Sequence, residues 1–471
     1  MDENAIPPVS RRPFDSLNRL SPQVVFLLVA GFFGVAMALI VPPVQSPDEQ
    51  VHWFRIYQLS EGKLLSPGRG DQIPTSMAAY GWNVFPSISF FSDRKIAPHQ
   101  IFDEFKHPLN ADKTTYEDFP STKLYSIVPY APQTLTMLIA RKLNWPAIGL
   151  LYAGRIGTVI GYLLIGYLAI RTLPVLKWPA CMILLSPMAL FLSGSMSADP
   201  LSTVAVFLAV AVALRCILSA VPLSTGMIAA LALAMIAVAL CKPAYFPVAF
   251  LVFAVPLSKW GRGHRQWILP VAIVLLTIAT ITIWSRLTDA DHVVERGPGP
   301  AVMRPWILHH PEVFAAVLRN TLVRMGPEVL NQTVGRLGWV DTYLHPGVIY
   351  FLFIALAWIC VAYDEPIRLR IWPRAVAVAI ICVSGLIILT FNYMVWDPIG
   401  TATVEGLQGR YFLPIAILIC MLIRRRGAYP AQPKWMLALF SLIATYTLWV
   451  VIERYYLPQG IILKLLSGSA S

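Results

Sequence analysis

The chain has 471 residues, 57% of them hydrophobic and only 13% charged, against roughly 25% charged in an ordinary soluble domain. A mean hydropathy of +0.63 excludes both a water-soluble globule and a disordered chain. The net charge of +12 does not indicate nucleic acid, because the basic residues form short clusters between apolar stretches. That arrangement orients an inner-membrane protein.

In chain order, residues 1–23 read as a cytoplasmic N-terminus and Val24–Val41 as the first span. Its apolar run is too long for a signal-peptide core, and Pro42-Pro43 follows it where a small-residue cleavage site would be needed. A polar loop, 42–146, comes next. Further spans are predicted at Ala147–Ile170, Trp178–Met196, Leu201–Leu218, Thr225–Cys241, Ala244–Leu257 and Trp267–Trp284. After a second polar loop, 285–347, come Val348–Ala362, Ala375–Met394, Tyr411–Ile423 and Trp435–Ile452, then a tail over 453–471. The expectation is an all-α polytopic membrane protein, one transmembrane domain over 24–452 with about eleven spans at about 20 residues each.

A twelfth span at Tyr125–Leu143 would invert all that follows. Pro129 and Pro132 in its first half remove backbone donors. It would also move most of the arginines and lysines of the short loops to the outside. The segment therefore reads as an amphipathic helix lying on the outer surface. The resulting topology is lopsided: the cytoplasmic connections are short and basic, and both long loops are extracytoplasmic. The six cysteines (Cys181, Cys216, Cys241, Cys360, Cys382 and Cys420) lie in or beside apolar runs. They have no zinc-ligand spacing and suggest no disulfide framework.

The stretch after the first span carries the most chemistry. Ser46, Pro47 and Glu49 fit a capping box with proline at the first helical position. Asp48, His52 and Arg55 then fall on one helix face. A carboxylate there, beside a histidine and an arginine, suits a general base for an acceptor hydroxyl; the plainer role for Asp48 is a favourable charge at a helix N-terminus. Arg410, between Gly409 and Tyr411, either snorkels to the headgroups or grips a phosphate with its planar fork. Arg155 is a lone charge inside a span, which calls for a partner or a function. Asp199 reads as a helix N-cap or a site residue, and Lys242 as a snorkelling or a site lysine. Clustered Asp48, Glu49 and Asp199 could hold a hard divalent cation.

The stretches PPVQSPDEQVHWFRIYQLSEGKL, CKPAY, GRLGWVDTYLHP and GLQGRYFLP resemble those of a bacterial membrane family known as domain of unknown function 2142. That family resembles the GT-C superfamily of integral-membrane glycosyltransferases. The resemblance implies a GT-C-like transmembrane domain with surface-lying helices in its outer loops and a polyprenyl-phosphate-linked sugar as donor. It also implies a glycan or lipid acceptor of the cell envelope, with the site on the extracytoplasmic face of the bacterial inner membrane. It places the catalytic acid at Asp48, with Glu49 as its neighbour or substitute, and the donor phosphate at Arg410. His52, Arg55, Arg155, Asp199, Lys242 and Tyr411 complete the implied substrate-binding set. The implied inverting displacement needs no resident cofactor, because the phosphate leaves as an anion without a second acid.

Two other classes compete. A transporter or lipid flippase would show midplane charge, broken helices and an internal repeat, whereas the spans here are nearly free of midplane charge. A scaffold could use the aromatic residues Trp82, Phe85, Phe90, Phe91, Phe102 and Phe105 of the first loop to hold partners. Reporter fusions after Lys177 and after Arg426 should both read cytoplasmic; an exterior signal at both would restore the twelfth span.

Overall fold

Pro22 opens a 19-residue helix, Pro22–Ile40, the first of six helices long and apolar enough to cross a bilayer. In a computed structural model, described for residues 20–65, 68–80, 85, 88–363, 369–425, 427 and 429–458, the other five are Ala147–Thr172, Asp199–Leu218, Arg265–Leu287, Ile371–Trp396 and Pro433–Tyr455. The N-terminal residues 1–19, Trp82, Arg426 and the tail from 459 onward lie outside the described residues.

Four more apolar helical segments are shorter: Thr225–Cys241, Pro243–Ala254, Pro346–Ala362 and Gly409–Ile423. The span expected at Trp178–Met196 is broken into Lys177–Leu184 and Pro187–Ser193. Pro187 has no N–H to continue the first piece, and Ser186 starts the second by accepting a hydrogen bond from the Ala189 amide. Among the described residues, six of the expected eleven segments are single helices long enough to cross a bilayer.

Ala147–Thr172 is the central post. It packs against Pro22–Ile40, Asp199–Leu218 and the short helix Ala131–Lys142. Small residues make these approaches close, as membrane helix packing requires. A Cβ on Gly157 would lie 2.7 Å from the Pro132 carbonyl oxygen, and one on Gly166 would lie 2.5 Å from the Phe26 ring.

The segment expected as a surface-lying amphipathic helix over Tyr125–Leu143 is α-helical only over the 12 residues Ala131–Lys142, after a 3-10 turn at Val128–Tyr130. At 1.5 Å per residue it is roughly 18 Å long, too short to span. Gln133, Met137 and Ala140 face inward, and Leu135, Ile139 and Leu143 are exposed.

The long loops are folded. In the first, Gly70–Pro74 pairs antiparallel with Thr114–Asp118. In the second, the 25-residue helix Pro311–Gly335 leads into a hairpin, Arg336–Leu337 with Thr342–Tyr343. The last helix sews the two together: Arg454 donates to Asp341 at 2.6 Å and to the Ile88 carbonyl at 2.7 Å. Of the first-loop aromatics, Phe85 is buried, while Phe90, Phe91, Phe102 and Phe105 are exposed.

Gly157→Val should force Ala131–Lys142 off the central helix and cost about 1–3 kcal/mol by overpacking. Thermal unfolding of the detergent-solubilised protein measures this, and an unchanged midpoint would contradict the packing described.

Candidate active site

The helix after the first span begins at Glu49, two residues later than a Ser46 cap requires. Pro47 lies outside it, Ser46 Oγ hydrogen-bonds to nothing among the described residues, and the expected capping box does not form. Asp48 takes the cap position in the left-handed region, with φ 62°. Only a few per cent of non-glycine residues adopt that conformation, with Asp and Asn favoured. The turn sends the two adjacent carboxylates in different directions.

Glu49 points into the bundle. Its Oε2 lies 2.6 Å from Arg155 Nη2, its Oε1 accepts from Arg155 Nε at 2.8 Å, and both side chains are fully buried. Arg155 also donates to the carbonyls of Ala38, Val41 and Pro42, at 3.1, 2.5 and 2.9 Å. A guanidinium has five N–H donors, and these bonds occupy all of them. Glu49 Oε1 accepts in addition from the Met196 amide at 2.9 Å. Arg155 has no donor left for a substrate, and Glu49 is fully buried against it.

Asp48 points the other way. Its Oδ2 lies 2.5 Å from Arg410 Nη2, and its side chain is 35% exposed against 4% for Arg410. Arg410 Nε lies 3.2 Å from Asp199 Oδ2, and Asp199 Oδ1 lies 3.1 Å from Lys242 Nζ. The ammonium of Lys242 stands 4.4 Å from the centre of the Tyr411 ring, a cation–π distance. Two carboxylates and two cations therefore form one neutral chain, and Asp48 is its open end.

This geometry decides between the alternative roles. Asp199 is the first residue of its helix and caps nothing; its carboxylate bridges Arg410 and Lys242. Arg410 is buried and paired, and Lys242 is paired with only 16% of its side chain exposed, so neither snorkels. Burial alone would lower the pKa of Lys242, but Asp199 and the surrounding tyrosines outweigh it and hold it well above the ordinary lysine value.

His52 is buried, with Nδ1 2.5 Å from the Tyr130 hydroxyl. Burial lowers its pKa to about 4 against the opposing pull of Asp48 and Asp199, so the ring is neutral near pH 7. Arg55 does not share the face of Asp48. Its Nη1 donates to Gln58, and its Nη2 to the Leu64 and Tyr125 carbonyls at 2.7 and 3.3 Å. Because Asp48 is left-handed, helical spacing cannot be counted from it. Arg55 braces the loop.

Glu295, on the second loop, lies within electrostatic range of Asp48 and accepts from the Ser121 amide at 3.2 Å. Burial raises its pKa, and the charge of Asp48 adds to the shift. No motif in the sequence marked it. The carboxylates expected to hold a divalent cation are not assembled into one ligand set: Glu49 is turned to Arg155, and Asp48 and Asp199 are each held by cations. Among the described residues no other group of three His, Cys, Asp or Glu side chains could hold a metal ion.

A small hollow of about 10 Å³ is lined by Arg410 itself, with Pro47, Gln332 and Gly409, and two larger ones lie nearby. One is an apolar crevice of about 450 Å³ between Pro311–Gly335, Pro346–Ala362 and the segment that follows Arg410, where Phe412 and Leu413 line it. The other, of about 320 Å³, has mixed walls and includes Lys242 and Tyr125.

Residues 31–419 match a family described as predicted membrane protein (DUF2142). No curated protein and no solved structure matches the chain.

The two neighbouring acids should behave oppositely in stability. Glu49→Gln strands a buried guanidinium and should cost about 3–5 kcal/mol, whereas Asp48→Asn, at a part-exposed position, should cost less than about 1 kcal/mol. Thermal unfolding of both variants reads the difference, and equal losses would contradict the division.

Proposed function

The chain belongs to the DUF2142 family of membrane proteins, and we propose that it is an inverting glycosyltransferase acting at the extracytoplasmic face. It moves a sugar from a polyprenyl-phosphate donor to a glycan or lipid acceptor of the cell envelope. The observation that carries this reading is the 2.5 Å pair between part-exposed Asp48 and buried Arg410, 362 positions apart in sequence. A base and a phosphate ligand are the two groups such a displacement requires.

Asp48 takes the proton of the acceptor hydroxyl as its oxygen attacks the anomeric carbon. The bond from that carbon to the phosphate oxygen breaks, and the electron pair leaves with the phosphate. Asp48 thereby loses one negative charge while the phosphate gains one. Arg410, which already touches Asp48, stays beside the charge as it moves. Its preorganised N–H groups stabilise the departing oxygen without rearranging. Asp199, itself paired with Lys242, holds the guanidinium in place, and the apolar crevice lined by Phe412 offers room for the isoprenoid chain.

Glu49 and Arg155, implied by resemblance as site residues, receive structural roles here because both are fully buried and every donor of Arg155 is in use. Arg55 is likewise a brace.

The full chain reconstituted with polyprenyl-phosphate sugars tests the reading. Asp48→Asn should lower turnover by about 10²–10⁴-fold, the usual contribution of a general base, without loss of expression. Arg410→Lys should raise the donor KM by about ten- to hundredfold through a lost charge-assisted bond. Turnover of Asp48→Asn at the parent rate would remove the base. A change confined to the acceptor KM in Arg410→Lys would remove the phosphate assignment.

A further inference from the structure

The mixed-wall groove of about 320 Å³ has no task in the displacement as described. Its volume lies at the lower end of the range of small-molecule sites, about 300–1,000 Å³. It grades along its length. Ala244, Ile387, Phe391 and Met394 form one part, contributed by the apolar helices Pro243–Ala254 and Ile371–Trp396. Asp291 and Arg304 form the opposite part, on the second loop, paired at 2.7 Å with side chains 38% and 56% exposed. One end of the groove is thus lipid-like and the other meets water.

Its inner wall joins the charged chain. Lys242 lines the groove and ion-pairs with Asp199, and Ser121, also in the wall, donates its amide to Glu295, which senses Asp48. The groove is therefore linked to the base through Lys242, Asp199 and Arg410, and again through Ser121 and Glu295.

We propose that this groove binds the second substrate, and that this substrate is an amphiphile, a hydroxylated head group carried on a lipid chain. The inference rests on the transferase reading and names its acceptor class. A free glycan would press hydroxyls against Ile387, Phe391 and Met394, and a buried hydroxyl without a partner is costly. A lipid chain covers those residues favourably, while Ser121, Ser285 and Thr288 offer hydrogen bonds to the head. The crevice beyond Arg410 is lined almost wholly by apolar side chains and suits a bare isoprenoid chain, not a sugar head.

Photo-crosslinking separates this inference from the reading beneath it. The full chain, with photoreactive benzoylphenylalanine replacing either Phe391 in the groove or Phe353 in the crevice, is placed in phosphatidylethanolamine–phosphatidylglycerol vesicles. The probes are a dialkylglycerol-linked disaccharide, the same disaccharide without its anchor, and polyprenyl phosphate. The anchored disaccharide should label position 391 more than about tenfold above the unanchored one, as lost apolar contact predicts. Ala244→Trp should suppress that signal while polyprenyl phosphate still labels position 353, which also shows that the variant is folded. Equal labelling by both disaccharides, no labelling at 391, or persistence of the signal in Ala244→Trp would overturn the proposal. Labelling at 391 by the anchored probe with none at 353 by polyprenyl phosphate would support the groove and refute the donor assignment.

Discussion

A charged guanidinium inside a membrane helix is expensive unless every donor is satisfied, and Arg155 is satisfied by one local arrangement. It accepts the company of three carbonyls at the end of the first helix, those of Ala38, Val41 and Pro42, and of the Glu49 carboxylate. The carbonyls of Ala38 and Val41 gain a donor where the helix ends, that of Pro42 also accepts from the Gln45 amide at 3.3 Å, and a cation there is favourable to the helix dipole. Arg155 thus works as a cap supplied by a different helix. It also fixes where the next helix begins, because Glu49 is that helix's first residue. With both ends of the turn pinned, the residue before Glu49 must reverse the chain. Asp48 does so in the left-handed region, at a cost of roughly 1–3 kcal/mol. The open carboxylate owes its position to a pair in which it takes no part.

Arg410 is fixed by a comparable device on the other side of the cleft. The loop before it is held by Asp397, which is fully buried and accepts the Glu405 amide on both oxygens, at 3.0 and 3.2 Å. Burial raises the Asp397 pKa to about 6, partly offset by that amide. Gln332 takes the Gly409 amide at 3.0 Å, so the residue before Arg410 is tied to Pro311–Gly335. The distance between the two site groups is therefore set by two rigid anchors and not by the attraction between them. Such preorganisation is what electrostatic stabilisation of a developing charge needs.

The apolar segments were legible in the sequence because hydropathy over 15–20 residues is a strong signal, and the DUF2142 assignment followed from short motifs around Asp48 and Arg410. Local rules failed where tertiary contacts outbid them. Ser46 and Glu49 have the spacing of a capping box, but a buried guanidinium offers Glu49 far more than one amide does. Asp199 precedes a proline at a helix start, the setting of an N-cap, yet it serves two cations from elsewhere in the chain. Arg155 was recognisable as a residue in need of a partner, while the partner's identity required the fold. Pro187 breaks the third apolar run into two short helices, and hydropathy alone carries no sign of that break. Glu295 carried no signal at all, because its significance lies in a backbone amide 174 positions away.

The same bookkeeping of charge bears on why the site uses an arginine at position 410. Asp48 and Asp199 sit on different edges of the guanidinium, at Nη2 and Nε, while Nη1 reaches the Pro47 carbonyl at 3.4 Å. A lysine carries a single point charge and could not keep both carboxylates at contact distance while receiving a third anion. The chain of two acids and two cations is neutral, so an arriving phosphodiester brings one uncompensated negative charge. In the proposed displacement, proton transfer to Asp48 removes one charge as phosphate release creates another. The total beside Arg410 is the same before and after, so the proposed step desolvates no new net charge.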